Sequence, residues 1–234
     1  VYKRQVVNGL GSDTDIESAV TAVQGAGEGR VEFSPANMKV PGEISTMVEL
    51  AAAAFGGVDI LVNNAGIQHV SPVHEFPVDK WDEIIAINLS SSFHTIRAVT
   101  PHMLASGWGR IINISSLHAL VASPYKAAYV SAKHGIAGLT RTVALELAQK
   151  NITVNSIAPG YVETPLVTGQ VADTARVRGI SEEEVVRDVM LAAQPTKKFI
   201  QIDEIAELVL FLCGDAAASI TGAILPVDGG WSAQ

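Results

Sequence analysis

The stretch Arg110-Ile111-Ile112-Asn113-Ile114 leads into Ser116 and then into Ala128-Tyr129-Val130-Ser131-Ala132-Lys133. The first run is apolar and β-branched, which is typical of a strand that is buried on both faces. On a helix, positions i and i+4 share one face, so Tyr129 and Lys133 point into the same space. A free tyrosine titrates near pKa ~10, and a neighbouring cation favours its phenolate. The stretch therefore predicts a strand, a serine at its end, and a helix that carries a tyrosine next to a cation.

Outside this stretch, short apolar runs alternate with amphipathic segments along the whole chain. Continuous apolar strands separated by helices are typical of a parallel sheet that is covered on both faces. A length of 234 residues suits one large domain. We therefore predict a single doubly wound α/β domain of the Rossmann-like kind over residues 1–234. The predicted strands are 6–8, 31–33, 58–62, 110–114, 152–157 and 223–227, and the predicted helices lie near 13–25, 42–55, 79–104, 125–149 and 203–213.

One part of such a fold is not recognisable at the start of the chain. A dinucleotide-binding fold opens with a strand, a glycine-rich turn and a helix whose N-terminus holds the pyrophosphate. Gly9-Leu10-Gly11 lacks a third glycine at the required spacing, and Gly25-Ala26-Gly27-Glu28-Gly29 fits a helix end. We therefore expect the chain to begin at the second strand, with the first strand, turn and helix missing, a segment of about 20–25 residues.

Composition argues against several classes of protein. A hydrophobic fraction of 48% with 17% charged residues indicates a compact globular protein, and a net charge of -8 argues against a nucleic-acid partner. The single cysteine, Cys213, lies in an apolar run and is expected to be a buried thiol, which suits a reducing cytoplasm. No apolar stretch reaches the ~18 residues of a membrane span, and no histidine has metal-ligand spacing. We expect a soluble cytoplasmic protein with no metal and no membrane partner.

Several further motifs accompany the tyrosine and the lysine: Asn63-Asn64-Ala65-Gly66, Asn88 in Ile87-Asn88-Leu89, Pro159-Gly160 and Asp228-Gly229-Gly230. With these motifs, residues 6–234 resemble the short-chain dehydrogenase/reductase family. The resemblance implies that Tyr129 takes the proton from a substrate hydroxyl as hydride leaves for a nicotinamide. It also implies that Ser116 hydrogen-bonds the substrate oxygen. Lys133 would lower the tyrosine pKa and bind the nicotinamide ribose, and Asn88 would hold a water of a proton relay.

The resemblance also implies a nicotinamide cofactor. A 2′-phosphate would need Arg or Lys just after the second strand. After Asn8 the chain instead reads Gly9-Leu10-Gly11-Ser12-Asp13, without a base, which favours NAD over NADP. The residues expected to contact the cofactor, in addition to Tyr129 and Lys133, are Asn37, Met38, Asn64, Ala65, Gly66, Pro159, Gly160, Val162 and Thr164.

A second set of residues resembles the members of the family that act on 3-hydroxybutyrate. A small hydroxy acid carries a carboxylate that must be paired when it is desolvated. Tyr161 stands where those members usually have Trp, so pocket size is expected to differ. Residues 160–200 lack a regular period and are expected to form a lid. The residues expected to contact the substrate are Gln68, His118, Lys126, Tyr161, Gln170 and Trp231.

The resemblance thus implies NAD-dependent oxidation of (R)-3-hydroxybutyrate to acetoacetate by a homotetramer. Two other hypotheses stay open at this stage. The same catalytic set would serve a reductase of 3-oxoacyl thioesters or of another small ketone. The unrecognised phosphate loop is also compatible with a non-catalytic remnant of the fold.

Overall fold

The structure is a computed structural model that describes residues 4–233, so the ends of the predicted domain, residues 1–3 and 234, lie outside the described part. The strands are β1 Arg4–Asn8, β2 Arg30–Ser34, β3 Ile60–Asn63, β4 Gly109–Ile114, β5 Ile152–Pro159 and β6 Ile224–Val227. The helices are α1 Asp13–Gly25, α2 Pro41–Phe55, α3 Val78–Ile85, α4 Ser91–Ser106, α5 Ala127–Leu147, α6 Pro165–Thr168, α7 Val171–Arg178, α8 Glu182–Glu184, α9 Leu191–Ala193 and α10 Ile202–Cys213.

The strands form parallel sheets, as the sequence predicts. β1 pairs with β2, and a four-stranded sheet runs in the order β3-β4-β5-β6. Within the described residues, β1 pairs along one edge only, with β2, and β3 pairs along one edge only, with β4. The α/β, Rossmann-like fold class is confirmed, and every predicted strand is present within a few residues of its expected limits.

Helices cover both faces of the four-stranded sheet. Successive residues of a strand point to opposite faces, and Ile111 of β4 packs against Val99 and Met103 of α4. Its neighbour Ile112 packs against Leu212 and Cys213 of α10 on the other face. The alternation explains why an unbroken apolar run becomes a central strand, and the prediction of a buried Cys213 thiol is confirmed.

The helix predicted near 79–104 has an interruption that its apolar period does not reveal. Between α3 and α4 lies a π-helical turn, Ala86–Ser90, in which one residue more than usual is fitted into the turn. Asn88 lies in this turn and is buried. Such turns occur frequently at functional sites, and an insertion of one residue barely changes the spacing of the apolar positions on either side.

Residues 160–200, which we call the flap, form a chain of short helices with a small core of their own. Tyr161, Ala175, Val185 and Met190 are buried together, and Trp231 packs against them. The role of this segment as a lid stays a prediction. In the described residues, no helix combines the length and apolarity that crossing a membrane would require.

Candidate active site

The carboxyl ends of the parallel strands converge on one edge of the sheet, where the functional side chains collect. Ser115 and Ser116 follow β4. The Ser115 hydroxyl donates to the carbonyl of Ile157 at 2.9 Å and accepts from the Ser156 hydroxyl at 2.8 Å. After β5, the Gly160 amide donates to the carbonyl of Val227 in β6 at 2.9 Å. These bonds hold the strand ends in register, so the loops that follow them start from fixed positions.

A small cavity of about 40 Å³ lies at this edge. Small-molecule sites usually measure roughly 300–1,000 Å³, so this cavity is smaller than an ordinary ligand site and the pocket is closed in this conformation. All the residues predicted to contact substrate line it, together with Ser116 and Tyr129. Gly160, Leu166 and Val167 complete its lining, and the last two had no signal in the sequence.

Tyr129 and Lys133 lie on the same face of α5, as their spacing predicts. The Lys133 ammonium donates to the carbonyl of Ile114 at the end of β4 at 2.9 Å, and lies 5.5 Å from the centre of the Tyr129 ring. Burial raises the pKa of Tyr129, while a hydrogen bond with Ser116 opposes the rise. Burial also lowers the pKa of Lys133 to about 8. Desolvation disfavours the charged phenolate and so sets the direction of the Tyr129 shift, while the expected lowering of the tyrosine pKa by Lys133 stays a prediction.

His118 lies between two serine hydroxyls. Its Nδ1 is 3.2 Å from Ser116 Oγ, and its Nε2 is 2.8 Å from Ser123 Oγ. Burial, and then the positive charge of Lys126, lower the pKa of His118 to about 3, so the ring is neutral. A neutral imidazole has one N–H and one acceptor nitrogen, and both nitrogens face serines here. The contact of His118 with a substrate carboxylate stays a prediction. It requires the ring to replace one of its two serine partners by the carboxylate.

Lys126 is a buried cation at the N-cap of α5, with only 6% of its surface exposed. Its ammonium lies 5.3 Å from the centre of the Tyr161 ring. Burial, and then the charge of Arg178, lower the pKa of Lys126 to about 8. Among residues 4–233 no carboxylate lies within ion-pair distance of it. A buried amine without a counter-charge is costly to keep, and this one faces the cavity.

An aromatic wall closes the opposite side of the cavity. Tyr161 stacks on Trp231 with ring centres 5.6 Å apart and planes 20° from parallel, and burial raises the pKa of Tyr161 to about 12. Gln170 donates from Nε2 to the carbonyl of Leu166 at 2.7 Å. Its Oε1 is buried and finds no partner in the described part of the chain. Trp231 packs against the buried core of the flap and also lines the cavity.

Asn88 stabilises the loop that follows β3. Its side-chain amide accepts from the Ile67 N–H at 2.9 Å and donates to the Ile67 carbonyl at 2.8 Å. This pair of bonds fixes the loop that carries Asn64, Ala65 and Gly66 away from β3. Asn88 does not line the cavity, and its role in a proton relay stays a prediction. On the same loop, Gln68 accepts from the His69 amide at 2.9 Å and reaches the pocket.

The residues predicted to contact a cofactor lie on loops at the same edge of the sheets. Asn64 and Ala65 are exposed at the end of β3. Lys133 uses one of its three N–H donors on a carbonyl, so two remain for ribose hydroxyls. The chemistry of these groups fits a nicotinamide nucleoside. The other predicted contacts are Asn37 and Met38 after β2, Gly66 after β3, Pro159 and Gly160 at the end of β5, and Val162 and Thr164 before α6.

Besides Leu166 and Val167 in the cavity lining, two further residues of the site were not identified from the sequence. Ser123 contacts His118, as described above. Gln194 is fully buried, and its side chain accepts from the Tyr161 amide at 2.5 Å and donates to the Lys198 carbonyl at 2.5 Å. It therefore joins both ends of the flap. Neither residue belongs to a periodic pattern or a motif, so no sequence signal could have found them. Across residues 4–233, His, Cys, Asp and Glu side chains form no group of three or more that could hold a metal ion.

Comparison with known proteins gives consistent matches over nearly the whole chain. A family model described as enoyl-(acyl carrier protein) reductase matches residues 6–232. The chain is 58% identical to a D-beta-hydroxybutyrate dehydrogenase of Rhizobium meliloti, over 98% of this chain and 89% of the relative. It is 50% identical to a D-beta-hydroxybutyrate dehydrogenase of Cupriavidus necator, over 98% and 88%. A crystal structure from Sinorhizobium meliloti 1021, assigned to the short-chain alcohol dehydrogenases, superposes with a TM-score of 0.86 at 32% identity and covers 98% of this chain and 86% of that one.

Proposed function

The chain belongs to the short-chain dehydrogenase/reductase family, and on that premise we propose that it oxidises (R)-3-hydroxybutyrate to acetoacetate. The D-beta-hydroxybutyrate that names its relatives is the (R) isomer of this acid. The observation that carries the proposal is the buried ammonium of Lys126, which faces the cavity beside Tyr129 and has no counter-charge among the described residues. A substrate carboxylate supplies that charge, and its hydroxyl then lies toward the tyrosine.

In the proposed reaction, the bound oxidised nicotinamide supplies the acceptor for hydride from carbon 3 of the substrate. The phenolate of Tyr129 takes the hydroxyl proton. The Ser116 hydroxyl donates to the substrate oxygen and stabilises the charge that develops there. The protonated Lys133 favours the phenolate and holds ribose hydroxyls. Asn88 fixes the loop after β3 through its bonds to Ile67, and a water bound near Lys133 would return the proton to solvent.

The pocket residues account for the choice of a small acid. Lys126 pairs with the carboxylate, and Gln68, His118 and Gln170 donate or exchange hydrogen bonds around it. The unpartnered Oε1 of Gln170 supports this assignment, because reorientation of the amide would turn its N–H groups toward an anion. Tyr161 and Trp231 form the wall against the methyl end. Residues 160–200 act as the lid, since the closed cavity is too small for the acid.

We assign NAD as the cofactor and a homotetramer as the assembly. The members of this family use nicotinamide cofactors, and β1 is followed by Gly9, Leu10 and Gly11, with no base to pair a 2′-phosphate. Large apolar side chains are exposed on α4 and α5, among them Phe93 and Leu145, and faces of this kind often mark subunit contacts. Steady-state kinetics with NAD and NADP test the cofactor, and sedimentation velocity tests the assembly.

The substrate is tested with a panel of short hydroxy acids, neutral secondary alcohols and 3-oxoacyl thioesters. We expect kcat/KM to be highest for (R)-3-hydroxybutyrate. Lys126→Ala should lower kcat/KM for the acid by about 30-fold to several thousand-fold, since loss of one partner of a desolvated charge pair costs on the order of 2–5 kcal/mol. KM for NAD should stay nearly unchanged.

The control variant is Lys150→Ala, because Lys150 is exposed and lies at the far end of the same helical segment. Unaltered hydroxybutyrate kinetics in Lys126→Ala would contradict the assignment of the carboxylate site. A higher kcat/KM for 3-oxoacyl thioesters than for the acid would favour the reductase hypothesis instead.

A further inference from the structure

Arg178 makes a contact between the flap and the rest of the domain. It is the last residue of α7, in the flap, and its guanidinium carbon lies 5.8 Å from the centre of the Tyr125 ring. Tyr125 belongs to the body of the domain and directly precedes α5. Arginine over an aromatic face is attractive, so this contact joins the flap to the segment that precedes α5.

The backbone of Tyr125 is held in a conformation that side chains of its size rarely adopt. Its φ is 70°, in the left-handed region, and its carbonyl accepts from the Ser71 amide at 3.0 Å. Such a conformation persists only where the surroundings impose it. It turns the ring toward Arg178 and delivers the next residue, Lys126, into the cavity. The contact and the carboxylate site are therefore built on consecutive residues.

The inner face of α7 is tied to the pocket wall. Thr174 and Ala175 are buried, and Ala175 packs in the cluster that contains Tyr161 and Trp231. The outer face carries Arg176, which pairs with Asp173 at 3.0 Å. A displacement of α7 would therefore move the aromatic wall and break the contact of Arg178 with Tyr125.

The positive charges of Arg178 and Lys126 relate this contact to the binding of an anionic substrate. Within residues 4–233, neither Arg178 nor Lys126 has a carboxylate at ion-pair distance. The field of Arg178 reaches the pocket, since it contributes to the lowered pKa of Lys126. The two cations repel each other in the closed conformation, and an anion bound near both would offset that repulsion. A ligand shifts such an equilibrium only if it binds the closed form better, and a carboxylate does so here.

We propose that Arg178 and Tyr125 form a latch that holds the flap over the site, and that the latch makes closure selective for a substrate with a carboxylate. Arg178 is thus a positioning residue that favours anionic substrates without being part of the catalytic set. The existence of the latch rests on the geometry of the Arg178–Tyr125 contact. The identity of the anion rests on the proposed function.

The first test measures amide hydrogen exchange of residues 171–178 in the ligand-free protein. Tyr125→Asn removes the ring and keeps a residue that tolerates positive φ, while Tyr125→Phe keeps the ring. We expect exchange to rise about threefold or more in Tyr125→Asn and in Arg178→Gln, and to stay at the parental rate in Tyr125→Phe. The matched control is Arg176→Gln, which removes the same charge from the outer face of the same helix.

The second test adds NAD with acetoacetate, two oxidised species that cannot react with each other. We expect them to protect the flap in the parental protein and to protect it less in Arg178→Gln. KM for 3-hydroxybutyrate should rise about tenfold in this variant, and KM for a neutral secondary alcohol should change less than about twofold. In Arg176→Gln neither value should move.

The outcomes separate the existence of the latch from its selectivity for an anionic substrate. Parental exchange rates in both Tyr125→Asn and Arg178→Gln would overturn the latch, while leaving the proposed function intact. Faster exchange with no change in the KM for 3-hydroxybutyrate would overturn its selectivity for an anion. If the parental protein does not oxidise 3-hydroxybutyrate, the proposed function fails, and the exchange rates of the ligand-free protein still decide whether the latch exists.

Discussion

Two buried amines of the site, Lys126 and Lys133, have pKa values lowered to about 8, yet their surroundings prepare them for different tasks. Lys133 donates to a backbone carbonyl and lies over the face of Tyr129. Lys126 faces the ring of Tyr161, and within residues 4–233 it forms no ion pair with a carboxylate. The first arrangement holds a cation in place beside the base, and the second leaves a cation for a ligand. At the scale of single residues, the site therefore separates proton transfer from substrate recognition.

Tyr129→Phe should abolish turnover, because the substitution removes the proton acceptor and very little surface. We expect kcat to fall by at least about a hundredfold, which is the lower end of what a general base contributes. Affinity for NAD, measured by calorimetry, should remain close to the parental value. A variant that keeps more than a tenth of the parental activity would contradict the role assigned to this tyrosine.

The affinity for a carboxylate should fall as the pH rises through about 8. Burial lowers the pKa of Lys126 from 10.5 to about 8, so the free enzyme loses the ammonium there and not near pH 10. The inhibition constant of acetoacetate should therefore rise above this pH. In Lys126→Arg it should stay flat from pH 7 to 10, since a guanidinium does not deprotonate in proteins. A flat profile in the parental protein would mean that Lys126 does not bind the carboxylate.

At the scale of elements, the site depends on how closely α5 approaches the π-helical turn Ala86–Ser90. Gly135 of α5 is the point of contact, because a Cβ there would lie 2.7 Å from a methyl carbon of Leu89. Gly138, one turn further along the same helix, has nothing within 4 Å of the corresponding position. The two glycines look alike in the sequence, and only the first lies where α5 packs closely against the turn that carries Asn88.

Substitution of these glycines should change stability in opposite directions. Gly135→Ala should lower the free energy of unfolding by about 1–3 kcal/mol, through overpacking against Leu89, and should lower kcat as well. Gly138→Ala should raise it by roughly 0.5–1 kcal/mol, since alanine is the better helix former. Urea denaturation checks both. Equal effects of the two variants would show that the close approach of the elements is not a constraint.

At the scale of the whole molecule, a buried chain of hydrogen bonds joins the sheet to helices of one covering layer. Thr95 of α4 donates to Asn63 of β3 at 2.7 Å, and Asn63 donates to Asn113 of β4 at 2.8 Å. Asn113 in turn donates to Thr140 of α5 at 2.9 Å. Buried polar groups of this kind specify one packing of the core when every member is satisfied. Here they fix the position of α5, and so of Tyr129, relative to β4 and Ser116.

Asn113→Leu should lower the free energy of unfolding by about 2–3 kcal/mol, because the isosteric side chain leaves two buried polar groups without a partner. The urea midpoint should fall and the slope m should stay unchanged. Gln149→Leu, which replaces an exposed carboxamide, should change stability by less than about 0.5 kcal/mol. A parental midpoint for Asn113→Leu would mean that water or a rearranged neighbour replaces the network.

The sequence by itself determined the strands, the principal helices and the residue types of the site. A parallel strand buried on both faces is rich in β-branched apolar residues, so β4 and β5 were predictable from Arg110–Ile114 and Ile152–Ile157. The i, i+4 spacing of Tyr129 and Lys133 was likewise sufficient to place both on one helix face. Motif spacing then predicted which loops would meet, because parallel strands end at the same edge.

Only the tertiary structure decided what each of these groups does to its neighbours. Burial raises the pKa of Tyr129 by more than the hydrogen bond with Ser116 lowers it, and burial is a property of the whole packing. The contacts of His118 with Ser123, of Tyr161 with Gln194 and of Arg178 with Tyr125 join segments far apart in chain order or lie in stretches without a period. Local patterns report which face a residue occupies along its own element. Local patterns carry no information about which distant side chain lies next to a given residue in the folded chain. Those neighbours decide the charge and the reactivity of the residue.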